Sequence, residues 1–269
     1  MLWHPYRYGP HPAQAADLAL PDGAPRGVAI MLHGGFWRAR YDRCLQHAVA
    51  ADLLRNGWAV WNVDYRGVPP GPLDGGGWPR THQDVAAGVD LLVVAGGDHG
   101  LGALVADPAR VLVIGHSAGG CLALWTAARH RFPAAPGVPG AAPLVRPGAV
   151  VAQAAVCDLV AGVQDGLGGG AIEAMMGALP GEDPAAYALA SPVALLPLGV
   201  PGLLVTGEYD AVVPVAQSRS YAAAARAAGD PVTVEVIPGE GHFAHLDPTS
   251  VSWQVVRSWL SDPSARMLG

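Results

Sequence analysis

The sequence predicts one doubly wound α/β domain with a mostly parallel central sheet. Short, near-continuous Val/Ile/Leu runs recur at 26–35, 57–65, 110–117, 148–158, 201–210 and 231–242. Such runs suit strands buried on both faces, as in a parallel sheet covered by helices. Helical patterning fills 42–56, 81–95, 119–131, 215–229 and 249–260, which gives the β-α-β-α alternation of that class. Pro and Gly, 25 and 36 of the 269 residues, cluster at the joints, as loops require.

Taken in order, the run RGVAIMLHGG ends at two glycines and passes through RARYDR into the first helix. The next strand, GWAVWNVDY, stops before RGVPPGPLDGGGWPR (66–80), which is too rich in Pro and Gly to be an element. The helix at 81–95 leads to RVLVIGHS, the helix at 119–131 and then GAVVAQAAVCD. Residues 159–200 are irregular: Gly166–Gly170, a helical patch around AIEAMMGAL, then SPVALLPLGVP. They read either as an insertion over the sheet's carboxyl edge or as an ordinary crossover with a loose loop. PGLLVTGEYD, PVTVEVIPGEGH and two more helices complete the pattern, with no repeat or interdomain linker, so 1–269 is expected to be a single domain.

Composition narrows the function. Hydrophobic residues make up 51% and charged residues 14%, enough apolar material for a large core. A net charge of −6 argues against nucleic acid, whose binding needs a basic surface to displace counterions. All sixteen basic residues are arginine, from which nothing functional follows. Cys44, Cys121 and Cys157 are odd in number and widely spaced, which suits small apolar residues in a reducing compartment better than a disulfide frame or a metal site. The first residues, MLWHPYRYGPHP, lack the basic start and apolar run of a signal peptide, and no apolar stretch approaches the ~18 residues of a membrane span. The expectation is a soluble, cytoplasmic protein.

In such sheets, sites lie beyond the carboxyl ends of the strands. Residues 115–120 read GHSAGG and fit G-x-S-x-G. In a chain so rich in glycine the string alone is weak, but here it follows a strand and opens a helix, the placement a nucleophile elbow needs. Ser117 is therefore the candidate nucleophile, against the alternative of a plain Gly-rich turn. Its hydroxyl needs a base. His242, in PGEGHFAHLDP after the last strand, is the candidate, ahead of His245, of His116 (expected to point away) and of His33 (expected to stabilise its loop). The imidazole needs a carboxylate to fix its tautomer. Asp210, at the end of GLLVTGEYD, is preferred, with Asp158 in reserve; Glu208 sits earlier, and Asp247 lies too close to His242.

Attack on a carbonyl creates an oxyanion that preset N–H donors must meet. One is Ala118, after the nucleophile; the others are read in HGGFW (33–37) as the amides of Gly35 and Phe36, on a loop without obstructing side chains. Trp37 and Trp78 are candidate substrate-lining residues, with loop packing as the alternative. No cluster of arginines marks an anion site along the chain.

HGGFW, GHSAGG and the order Ser117, Asp210, His242 together resemble the α/β-hydrolase superfamily over essentially the whole chain. The branch they resemble holds hormone-sensitive-lipase-type esterases and kynurenine formamidases. Phe36 stands where the lipase pattern has a third glycine, and HGGxW is more similar to the formamidase side. The resemblance implies about eight strands flanked by helices, a small lid-like insertion at 159–200, and a serine hydrolase using neither metal nor organic cofactor. The expected reaction is cleavage of a small acyl ester through an acyl-enzyme. An arylformamidase is the alternative, and a non-catalytic binding protein on this fold the alternative of another class. The expected partner is a small-molecule acyl or aryl substrate, not nucleic acid or membrane, with a homodimer left open.

Overall fold

A computed structural model describes residues 2–69, 75–133 and 138–262. Its sheet begins with two strands the sequence does not announce, β1 (Trp3–Arg7) and β2 (Ala15–Ala19). Six more lie inside the expected runs: β3 (Val28–Leu32), β4 (Ala59–Val63), β5 (Val111–His116), β6 (Ala149–Gln153), β7 (Gly202–Gly207) and β8 (Val232–Ile237). The order is β1-β2-β4-β3-β5-β6-β7-β8, antiparallel at β1–β2 and β2–β4 and parallel elsewhere.

Helices over the described residues are α1 (His47–Arg55), α2 (Arg80–Asp90), α3 (Leu92–Asp98), α4 (Gly102–Ala106), α5 (Ala118–Ala128), α6 (Leu159–Gln164), α7 (Ala171–Met176), α8 (Pro184–Ala190), α9 (Val215–Ala227) and α10 (Val251–Ser261). Strand alternation splits the core in two. Val28, Ile30, Leu32, Val111 and Val113 face α2, α3, α5 and α9, whereas Ala29, Met31, Leu112 and Ile114 face α1 and α10. Every residue of α5, AGGCLALWTAA, is buried, which fits a helix apolar all round. No helix among the described residues is long and apolar enough to cross a membrane.

The irregular segment 159–200 folds as α6, α7 and α8. Leu159, Ile172, Met175, Met176, Tyr187 and Ala190 join the core on the α5 side. It abuts the loop after β3: Arg38 Nη2 donates to the Gly168 carbonyl at 2.6 Å, and a Cβ at Gly168 would press on the Phe36 ring at 2.7 Å. The strand order reverses between β3 and β5, so HGGFW and GHSAGG emerge side by side at the switch point.

Candidate active site

Ser117 links β5 to α5 with φ 57° and ψ −121°, a conformation L-residues rarely adopt. Such a residue stores about 1–3 kcal/mol of strain and persists only where its surroundings hold it. Here the backbone is packed too tightly for side chains. A Cβ on Gly115 would collide with the Gly119 carbonyl, and one on Gly119 with the Leu32 carbonyl. The Ser117 N–H donates to the Gln153 carbonyl at 2.8 Å, tying the turn to β6.

The loops after β7 and β8 supply an imidazole and a carboxylate in contact. His242 Nδ1 donates to Asp210 Oδ2 at 2.8 Å, while Asp210 Oδ1 accepts from Val212 N and Val213 N at 2.9 and 2.8 Å. Burial alone would raise the Asp210 pKa, but the His242 bond and the two N–H groups outweigh it and hold the carboxyl below its ordinary range. With Nδ1 committed, Nε2 is the nitrogen left to take a proton. Ser117 and His242 line one cavity of about 120 Å³, together with Gly34, Gly35, Phe36 and His116. Leu45, Val212, Phe243 and Leu246 form its apolar side.

His116, expected to point away, instead turns toward this site. Its Nε2 donates to the His242 carbonyl at 2.8 Å, and the two rings lie 4.7 Å apart. The elbow projects His116 across the end of the sheet, where the loop after β8 passes. His245 is fully buried, 5.8 Å from the His116 ring, and lines no part of the cavity. Glu208 accepts from Gly239 N at 3.2 Å, and Asp247 from Thr249 N at 2.8 Å. Asp158 caps α6, accepting from Val160 N and Ala161 N at 2.9 and 3.1 Å.

In the loop after β3, Gly35, Phe36 and Trp37 all have positive φ, 114°, 49° and 54°. Their successive left-handed turns keep the loop against the elbow; a Cβ on Gly34 would sit 3.1 Å from that of Ser117. Among the described residues, the N–H groups of Gly35, Phe36 and Ala118 meet no protein acceptor. His33 steadies the loop as expected: its Nε2 donates to Asp64 at 3.0 Å, and its ring stacks on Tyr65 at 4.2 Å. Arg43 extends the network by bridging Asp64 and Asp17.

Trp37 and Trp78, expected either to line the substrate site or to pack their loops, both pack against protein side chains in the structure. The left-handed turn at Trp37 drives its indole into the core at 1% exposure. Trp78 packs edge-on against His82, with ring centroids 4.8 Å apart. Neither lines the Ser117 cavity or the larger cleft of about 430 Å³ beyond Phe36, bounded by Arg38, Arg40, Val68, Gly170 and Ala174 among others. Sequence spacing alone could not reveal that Arg38 and Arg40 open on one cleft, because the loop's left-handed residues set their directions.

Three buried histidines give the protein a sign-definite pH response. Desolvation pushes His82 and His116 down to about 3 and His245 to about 4, from 6.5. The unfolded chain therefore takes these protons first. Their contribution to stability is complete above pH 6.5 and declines as the pH falls toward 4, by up to about 1.4 kcal/mol per pH unit for each. Urea midpoints should fall steadily from pH 7 to 5, and His82→Leu should flatten the slope. A midpoint that rises on acidification contradicts this.

A truncated form of a carbohydrate esterase from gut microbiota is similar in structure, with TM-score 0.81 and 21% identity over 98% of this chain and 96% of that one. Esterase B from Lactobacillus rhamnosis (HN001) superposes with TM-score 0.80 and 23% identity over 98% and 85%. These likenesses show the α/β-hydrolase fold. In sequence, esterase LipI of Mycobacterium tuberculosis (strain ATCC 25618 / H37Rv) is 35% identical over 116 residues, 41% of this chain and 32% of that protein. The non-reducing polyketide synthase stbA of Stachybotrys bisbyi is 31% identical over 118 residues, 42% of this chain and 5% of that protein. The chain thus spans less than a third of the length of these curated relatives. The BD-FAE family model matches residues 16–224, from β2 through most of α9 and including both glycine loops. On that match, the chain belongs to the BD-FAE family.

Proposed function

We propose that the protein is a serine esterase acting on small carboxylic esters. The observation that carries this reading is the 2.8 Å His242–Asp210 bond in a loop lining the same cavity as the strained Ser117. Ser117 Oγ attacks the carbonyl carbon while His242 Nε2 takes its proton, and Asp210 stabilises the imidazolium. The N–H groups of Gly35, Phe36 and Ala118 receive the oxyanion, each donor contributing on the order of 3 kcal/mol. Collapse expels the alcohol, which takes its proton from His242. Water then attacks the acyl-enzyme with His242 again as base, releasing the acid and free Ser117. The esterase names of LipI, esterase B and the gut carbohydrate esterase, to which the chain is similar, support the same chemistry.

A formyl amide could use the same machinery, and HGGFW is the feature that favours it. Its Trp37 is a core residue, so the motif's tryptophan offers no substrate contact. The test is labelling by a fluorophosphonate, with paired initial rates on p-nitrophenyl acetate and N-formyl-kynurenine and Ser117→Ala as the blank. Labelling and ester turnover that both vanish in Ser117→Ala are expected. No label and no turnover leaves a non-catalytic fold, whereas a formyl-amide efficiency orders of magnitude above the ester's makes it a formamidase.

Phe36 divides the Ser117 cavity from the larger cleft and lines both. Glycine accepts its φ of 49° without strain. Phe36→Gly should join the two spaces and raise kcat/KM for branched acyl esters relative to acetate by about tenfold, the scale of steric discrimination in an apolar pocket. An unchanged acyl profile would remove Phe36 from the acyl site.

A further inference from the structure

The two spaces beside Phe36 differ in size and in charge. The Ser117 cavity, about 120 Å³, is smaller than an ordinary small-molecule pocket and is walled by Leu45, Val212 and Leu246, so it suits a short acyl chain. The cleft on the other side of Phe36, about 430 Å³, has room for the larger half of an ester. Gly169, Gly170, Ala171 and Ala174 leave that room, and among the described residues the charged ones lining it are Arg38 and Arg40.

We propose that this cleft is the leaving-group subsite and takes an aryl or alkyl alcohol carrying a carboxylate, held by Arg38 and Arg40. The proposal rests on the serine-esterase reading. Among the described residues no carboxylate pairs with either guanidinium; Arg38 bonds only the neutral Gly168 carbonyl. In a chain of net charge −6, two cations at one apolar cleft, paired with no carboxylate among the described residues, form a local anion site. Both are preset. Arg38 lies over the Phe36 ring at 5.8 Å and Arg40 over the Tyr41 ring at 4.8 Å, so binding immobilises little that was free. The backbone beneath them is braced, with Ala39 N donating to the Val68 carbonyl at 3.0 Å and Val68 N to that of Trp37 at 2.6 Å. A guanidinium fork matches a carboxylate's two oxygens. Arg38 lines both spaces, placing the cation at the passage between the acyl and alcohol sides.

The experiment compares 4-acetoxybenzoate with its neutral isostere 4-acetoxybenzamide. The charged ester should have kcat/KM about tenfold higher, mainly through KM, the scale of two partly exposed ion pairs. The ratio should approach one in about 0.5 M NaCl, where such pairs are screened. Arg40→Gln should lower the ratio and Arg40→Lys should restore part of it. In a second arm, Ser117→Ala titrated with 4-hydroxybenzoate should bind it, and more weakly once Arg40→Gln is added. Equal efficiencies for the two esters overturn the anion site and leave the esterase reading intact. Hydrolysis of neither ester overturns the esterase reading, while the titration still reports on the cleft. A charge preference seen with mono-p-nitrophenyl succinate over p-nitrophenyl butyrate, and not with the benzoate pair, moves the cations to the acyl side and refutes the subsite.

Discussion

Ser117→Gly should melt higher than Ser117→Ala, although both variants lose turnover by on the order of 10⁴-fold or more. The two substitutions remove the same hydroxyl but differ in what they do to the backbone. At φ 57° and ψ −121° the Cβ of serine or alanine crowds its own peptide, whereas glycine does not feel the clash. Relief of about 1–3 kcal/mol, less the entropy glycine loses on folding, leaves a gain of about 1 kcal/mol. For a chain of this length that raises Tm by about 2–4 °C. Thermal denaturation of the two variants beside the wild type checks it. Equal melting temperatures would mean that the elbow stores no strain, and retained turnover in either variant would remove Ser117 as nucleophile. The surroundings already show why the strain is tolerated. Gly115 and Gly119 let the turn close against the Leu32 carbonyl, and the Ser117 N–H is fastened to β6.

The same close packing explains what was legible in the sequence. The inner strands β3 to β7 are buried on both faces, so their runs of Val, Ile and Leu announce them. β1 and β2 lack that signal. β1, WHPYR, is a half-exposed edge strand that carries Pro5, tolerable only at an edge. β2, AADLA, is fully buried yet has no β-branched or aromatic residue, and its Asp17 is accommodated there by Arg43. Ser117, His242 and Asp210 stand out in the sequence as candidates because each closely follows a strand's carboxyl end, a one-dimensional property. Side-chain direction does not. Trp37 and His116 lie in or beside turns of unusual backbone, and there a residue's neighbours in sequence say little about what its side chain meets. The pairing of Arg38 with Arg40 at one cleft was hidden for the same reason.

Asp210→Asn should lower kcat by about 10³–10⁴-fold, while Asp158→Asn leaves it within about twofold. Both acids follow strand ends and both accept two backbone N–H groups, so the sequence ranks Asp210 first while keeping Asp158 in reserve. What separates them is the second oxygen of Asp210, which meets His242 Nδ1. In Asp210→Asn the side-chain oxygen keeps the Val212 and Val213 bonds, turning the amide NH₂ toward Nδ1. A donor there forces the ring proton onto Nε2, the nitrogen that accepts from Ser117 in the proposed mechanism, and leaves the imidazolium without a counter-charge. The loss should fall on kcat with KM little changed. It should also carry a pH signature in stability. Because the folded state holds Asp210 below 3.8, its carboxylate stabilises the wild type above that pH, and this contribution is lost as the pH falls through the folded value. The Asp210→Asn variant lacks that dependence, so its stability should converge on the wild type's in acid. Asp158→Asn exchanges one good N-cap for another and should cost a few tenths of a kcal/mol or less. Steady-state rates with urea midpoints at two pH values measure both effects. If Asp158→Asn is instead the variant that loses turnover, the orienting acid lies at the end of β6, and the contact at Asp210 serves only to hold the His242 loop.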